Sequence, residues 1–150
     1  MIKKKTRKAP RKPKKKTATQ YRKLCVDWAK KQAKDRDEWK CQFCGRTGTG
    51  MQIHGSHILP EGAYPLMSAE PYNLITLCAE HHVGGINPYL NRTFESWHSH
   101  PHKFVKWFEE KWPGRYKELM AMAEEKRKHI VNWEARWNEI NSPNRLKAYK

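Results

Sequence analysis

Acid is scarce in this chain, and cysteine is scarcer. Lys and Arg number 31 against 15 Asp and Glu, for a formal net charge of +16, and there are only 4 Cys. Long apolar runs are missing: the mean hydropathy is −1.03, and no stretch approaches the roughly 20 apolar residues a bilayer-crossing helix needs. No apolar segment follows the basic start, as it would in a secretory leader. These absences exclude a membrane-spanning helix and point to a soluble chain. The four cysteines could in principle pair as two disulfides. However, Cys41, Cys44 and Cys78 stand in metal-ligand spacing and Cys25 falls on an apolar helix face, so a reducing, cytoplasmic setting is expected.

What is abundant is positive charge, much of it in one place. Lys3, Lys4, Lys5, Arg7, Lys8, Arg11, Lys12, Lys14, Lys15 and Lys16 all precede the first acid, Asp27. With Pro10 and Pro13 among them and no apolar face, residues 1–18 cannot bury enough surface to offset the entropy of ordering, and a disordered basic arm is expected. Such an arm suits phosphates: neutralising them releases counterions and favours binding to nucleic acid of any sequence. A solubilising tail or an import signal would have the same composition. At 150 residues the chain is one domain by length.

From about residue 19 to 40, Tyr21, Leu24, Cys25, Trp28 and Trp39 follow helical spacing, which predicts an amphipathic helix. Cys41-Gln-Phe-Cys44-Gly45 reads as a zinc knuckle, two thiolates on a tight turn that Gly45 makes possible. Two short extended pieces are expected on either side of Gly55, the second closed by Pro60, and a third in the apolar run Leu74-Ile75-Thr76-Leu77. A short helix from about Cys78 to His82 ends at Gly84-Gly85. Pro101 to Trp112 predicts a helix with Phe104, Val105, Trp107 and Phe108 on one face, stopped by Pro113-Gly114. One long final helix is expected from Tyr116 through Ile130, Trp133 and Trp137 to about Ile140. No internal repeat is present.

Cys41, Cys44, Cys78 and His81 form two pairs in the pattern of a closed tetrahedral zinc site. A closed site is structural, because no coordination position is left for substrate, so any chemistry must lie elsewhere in the segment it clips. His57 and His82 are there. Hydrolysis of a phosphodiester needs a base for water and a divalent ion on the phosphate, and an imidazole titrates near neutral pH. If zinc holds His81, its neighbour His82 turns toward the adjacent groove.

In this arrangement the chain resembles the HNH endonucleases with a ββα-metal fold, in their zinc-ribbon subset. The matching residues are Cys41-x-x-Cys44, Ser56-His57-Ile58-Leu59-Pro60, Asn73-Leu74-Ile75-Thr76-Leu77-Cys78 and His81-His82, within residues 41–91. The resemblance implies structural zinc on Cys41, Cys44, Cys78 and His81, His57 as general base, His82 as ligand of a catalytic Mg²⁺, Mn²⁺ or Ni²⁺, and Asn73 as a brace for the loop or an aid to the metal. It also implies DNA as substrate, met through the minor groove with weak sequence preference. Residues 91–119 are more loosely similar to the tail of phage HNH proteins, some of the NinG recombination type, which implies a part in recombination, replication or packaging of DNA. Two positions depart from the pattern: His81 stands where Cys is more usual, and Ser56 stands where Asp or His usually binds the catalytic ion. His54, two residues earlier on the same strand face, would substitute for Ser56, or Asn91 would help.

The expected architecture is therefore α+β: a basic arm over residues 1–18, a leading helix and zinc-clipped HNH core over 19–95, and a Trp-rich helical extension over 96–150 packed on that core. His98, His100 and His102 read as surface histidines, and Trp107, Trp112, Trp133 and Trp137 as core rather than base-stacking residues. A zinc-stabilised DNA-binding accessory protein without catalysis is the alternative in which His57 and His82 only tune the knuckle.

Overall fold

The computed structural model describes residues 14–48, 52–87 and 92–142. Helix α1 spans Ala18–Arg36 and begins one residue earlier than expected, on a capping box. The Gln20 amide N–H donates to Thr17 Oγ1 at 3.3 Å, and the Thr17 N–H donates to Gln20 Oε1 at 2.8 Å. These bonds satisfy two N–H groups that would otherwise be orphaned at the helix start, and such a cap stabilises by about 1 kcal/mol. The helix stops at Asp37, and Glu38 and Trp39 follow with φ of 54° and 55°. Its buried face carries Cys25, Val26, Ala29 and Ala33, and the two alanines let a sheet approach closely.

That sheet has two strands, β1 (Ile53–His57) and β2 (Leu74–Cys78), paired antiparallel with Gly55 opposite Thr76 and His57 opposite Leu74. The two extended pieces expected around Gly55 are one strand. Glycine permits a close approach there: a Cβ would lie 3.0 Å from Lys30 Cγ and 3.2 Å from Lys30 Cα, tighter than ordinary contact, so α1 rests directly on the strand backbone. The connection between the strands holds two short 3-10 turns, Pro65–Met67 and Pro71–Asn73. Helix α2 (Ala79–Val83) follows β2 immediately and ends at Gly84, φ 82°. A small second sheet pairs β3 (Gly85–Asn87) with β4 (Arg92–Phe94).

All five residues of β2 are buried, because both of its faces are covered. Leu74 packs with Ala29 and Ala33 of α1, and Thr76 Oγ1 donates to the Ala33 carbonyl at 3.3 Å. On the other face Ile75 and Leu77 join the main core with Phe104, Phe108 and Leu119. This explains why the strand reads as an unbroken apolar run instead of an alternating one. Truncating Phe104 or Phe108, both fully buried, to Ala would cost about 3–5 kcal/mol.

The outer edge of β2 is closed by side chains. Thr76 N–H donates to Asp37 Oδ2 at 2.9 Å, and the Leu74 carbonyl accepts from Arg36 at 2.7 Å and from Arg115 at 3.1 Å. Burial, with Arg36 alongside, brings the Arg115 pKa down to about 10, still charged at neutral pH. The edge is thereby removed from pairing with other chains. The opposite edge, along β1, borders a cleft.

Helix α3 (Pro101–Lys111) starts and stops where Pro101 and Pro113-Gly114 predict. The long final helix is instead two: α4 (Arg115–Arg127) and α5 (Trp133–Ile140). The break falls where Asn132 caps α5, its Oδ1 accepting from Ala135 N–H at 3.0 Å, and Ile130, placed on an apolar stripe by spacing alone, is fully exposed. The break lets α5 fold back along α1, where Ile140 meets Cys25 and Val26. Trp107, Trp112, Trp133 and Trp137 are half-buried against these cores. The chain is thus α+β, with residues 96–142 packed on the sheet and α1. No helix among the described residues is long and apolar enough to cross a membrane.

Candidate functional site

Cys41 and Cys44 sit on a turn held by Gly45 N–H donating to the Cys41 carbonyl at 2.7 Å and Cys41 N–H donating to the Arg46 carbonyl at 2.8 Å. Gly45 has φ 75° with nothing within 4 Å of a would-be Cβ, so glycine serves the backbone conformation alone. Cys78 ends β2, and His81 lies one turn into α2. The four ligand atoms all lie within 4.8 Å of one another, with His81 Nδ1 3.1 Å from Cys78 Sγ and 3.7 Å from Cys41 Sγ. A tetrahedral zinc with bonds of about 2.3 Å to sulfur and 2.0–2.1 Å to nitrogen sets such pairs about 3.6 Å apart. The cluster could hold a structural metal such as zinc.

The electrostatics of the thiols ask for a cation. Burial opposes ionisation of Cys41, yet hydrogen bonds from the backbone of Cys44, Cys78 and Phe43 outweigh it and hold that thiol below its ordinary value. Cys78 is driven upward, first by burial and then by the Cys41 and Cys44 sulfurs beside it. Three sulfurs in this volume cannot all ionise unaided, and a bound divalent ion reverses that balance. All four cysteines are free thiols. Cys25 lies apart, buried on α1 as expected. The knuckle is tied to the rest by Arg46 to Glu80 at 2.8 Å and by Phe43, whose ring lies 4.6 Å from that of His81 and 4.7 Å from that of Phe104.

The cleft beside β1, about 520 Å³, is lined by Lys30 of α1, Gly55 and His57 of β1, His82 of α2 and the Trp97-His98 turn. His57 Nε2 lies 2.9 Å from the Ser68 carbonyl oxygen. A carbonyl can only accept, so Nε2 carries the proton and Nδ1 keeps its lone pair. Burial pushes the His57 pKa down, against the Ser68 hydrogen bond and with help from Lys30, so the ring is neutral at neutral pH.

Asn73 is fully buried. Its Nδ2 donates to the carbonyls of Leu59 and Met67, both at 3.1 Å, and its Oδ1 accepts from Leu59 N–H at 2.8 Å. Both amide donors are spent on backbone, so of the two roles expected for Asn73 the geometry displays the brace. It holds together the strand exit that carries His57 and the turn that carries the Ser68 carbonyl.

His81 and His82 diverge as expected. His82 Nδ1 meets His54 Nδ1 at 2.9 Å, a hydrogen bond in which one ring donates to the other, so His54 is brought to His82. His82 is kept neutral by burial first, then by the fields of His98, His54, Lys30 and His57, with its pKa brought down to about 3. Ser56 is wholly buried and its hydroxyl has no hydrogen-bond partner.

Three participants were not found from sequence. His98, read as a surface residue, has its ring 4.7 Å from that of His82. Lys30, which lines the cleft, and the Ser68 carbonyl, which holds His57, are the others, and no local signal marks either, since each reaches its place by tertiary packing. His100 and His102 are exposed, as read. Among the arm residues Lys14, Lys15 and Lys16 are exposed, and Lys15 pairs with Glu134 at 3.2 Å. Lys3, Lys4, Lys5, Arg7, Lys8, Arg11 and Lys12 lie outside the described residues, as does Asn91. Compared with family models, curated proteins and solved structures, the chain finds no match.

Proposed function

We propose that the chain is a metal-dependent endonuclease of the HNH kind, hydrolysing DNA phosphodiester bonds in the course of DNA processing such as recombination, replication or packaging. The observation that carries this reading is His57. It is a neutral imidazole fixed through Nε2 by the Ser68 carbonyl, it lines the cleft that also holds His82, and its basic Nδ1 has no hydrogen bond among the described residues. Such a nitrogen can take the proton from a water attacking phosphorus, a contribution of about 10²–10⁴-fold. Asn73 positions it by bracing the loop, and the Lys30 ammonium on the cleft wall offers the phosphate a cation in a partly dehydrated site.

His82 with His54 would hold a divalent ion, Mg²⁺, Mn²⁺ or Ni²⁺, whose contribution when bound is to stabilise charge on the scissile phosphate. The facing nitrogens of that pair fit such a ligand. Two antiparallel strands followed directly by a helix, clipped by a Cys3His cluster, support a ββα-metal core. The charge of +16 supports DNA as partner, with phosphate contacts from the arm. The test is relaxation of supercoiled plasmid by the zinc-loaded protein with each of the three ions, alongside a DNA-binding measurement. Relaxation with at least one ion is expected. DNA bound but uncut with all of them would overturn the reading in favour of a noncatalytic DNA-binding accessory protein.

A further inference from the structure

We propose that His98 joins His54 and His82 as the third imidazole of a divalent transition-metal site, and that the site takes zinc- or nickel-type ions in preference to Mg²⁺. This deepens the reading of the cleft given above and rests on its placement of an ion at His54 and His82.

The turn that bears His98 is fastened to α2 at the ligand itself. Trp97 N–H donates to the His81 carbonyl at 2.8 Å and His98 N–H to the His82 carbonyl at 3.3 Å. Within the turn, Ser96 and Ser99 hydrogen-bond through their hydroxyls at 2.7 Å, and each hydroxyl also accepts the other residue's backbone N–H at 3.1 Å. Ser96 is fully buried and Trp97 is 7% exposed in the main core, so the His98 Cα cannot drift from His82. The side chain itself is exposed, and its ring meets the His82 ring edge-on, 4.7 Å between centroids and 65° between planes. Because that side chain is exposed, packing leaves its side-chain bonds open to rotation, and turning the ring would bring a nitrogen toward the pair formed by His54 Nδ1 and His82 Nδ1. Those two nitrogens, now 2.9 Å apart, need to open only to about 3.3 Å to share an ion with bonds of 2.0–2.1 Å.

The donor set decides the ion. Position 56, on the same face of β1 as His54, offers a buried hydroxyl and no carboxylate. Glu61, the carboxylate on the cleft wall, is engaged by Arg22 at 2.9 Å. Imidazoles without carboxylates suit zinc and nickel, whereas Mg²⁺ wants oxygen. Three protein ligands also leave positions open for water or phosphate.

The experiment is calorimetric titration of full-length protein, its Cys3His cluster first filled with one equivalent of Zn²⁺, with further Zn²⁺, Ni²⁺ or Mg²⁺. Wild type is expected to bind a second equivalent of Zn²⁺ or Ni²⁺ and to bind Mg²⁺ far more weakly. His98→Ala should weaken the second equivalent by about tenfold or more, the lower end of what loss of even an outer partner costs a metal site, while His102→Ala leaves it unchanged. Because His98 is exposed, folding of its variant is checked by an unchanged Tm. No second equivalent, a second equivalent held equally by His98→Ala, or Mg²⁺ bound as tightly as Zn²⁺ would overturn the proposal. Plasmid relaxation by the same proteins separates the two claims. A second ion held by His98 in a protein that never cuts leaves this site standing and fells the nuclease, and cutting indifferent to His98 does the reverse.

Discussion

The Nε2 of His57 and the carbonyl oxygen of Ser68 lie 2.9 Å apart, and this hydrogen bond fixes the tautomer of His57, with the proton on Nε2 and the lone pair on Nδ1. It also makes the placement of the Ser68 carbonyl part of the site, since a shift there would turn or re-tautomerise the ring. That carbonyl is held through the neighbouring Met67 carbonyl, which Asn73 engages.

Asn73→Ala is therefore expected to act first on stability. It removes three buried hydrogen bonds, leaving the Leu59 N–H and the Leu59 carbonyl without partners and the Met67 carbonyl with the Glu70 N–H alone. Each such group costs about 1–3 kcal/mol, partly recovered by local relaxation, so a loss of about 2–4 kcal/mol is expected in urea unfolding. A loss under 1 kcal/mol would show that the brace is not needed.

Cys44 offers a test of the metal cluster that packing does not confound. Its side chain is exposed, so Cys44→Ala would be close to neutral if the thiol bound nothing. With an ion at the cluster, the same change should lower zinc content below one equivalent and reduce Tm by several degrees, and chelation of wild type should do likewise. Equal metal content and Tm in the two proteins would remove the clip.

Much of the site was legible because its code is local. The spacing of Cys41, Cys44, Cys78 and His81 and the dipeptide His81-His82 carry their geometry with them, and Pro101 and Gly84 mark real helix ends. What was not legible came from packing between distant segments. Gly55 looked like a break because glycine usually is one, whereas here it admits Lys30 of α1 against the strand. The periodicity from Tyr116 to Ile140 is helical throughout, and only the need of α5 to return along α1 breaks it at Asn132. His98 reaches His82 through backbone hydrogen bonds between residues 97–98 and 81–82, which no side-chain pattern records.

The pH dependence follows from the direction of the His57 shift. Burial lowers its pKa below the ordinary 6.5, and in the proposed mechanism the neutral form is the active one. Cleavage should therefore persist as pH falls through 6.5 and decline only below it. Because the unfolded chain then binds a proton that the folded chain does not, stability should also fall as pH drops from 6.5 toward the folded-state pKa. An acid limb of the cleavage profile centred above pH 6.5 would contradict this.

For the basic arm, deletion of residues 1–16 leaves the Thr17 cap of α1 in place and removes ten positive charges. DNA affinity should weaken for all sequences alike. The slope of log K against log salt should flatten by about 0.9 for each phosphate that the arm no longer neutralises. An unchanged slope would make the arm a tail without a role in binding.

The most direct measurement of the central claim is the rate of plasmid cleavage by His57→Ala against wild type, at equal zinc content and equal DNA occupancy. A fall of about 10²–10⁴-fold is predicted, the usual loss on removing a general base, with DNA affinity unchanged. Equal rates for the two proteins would contradict it.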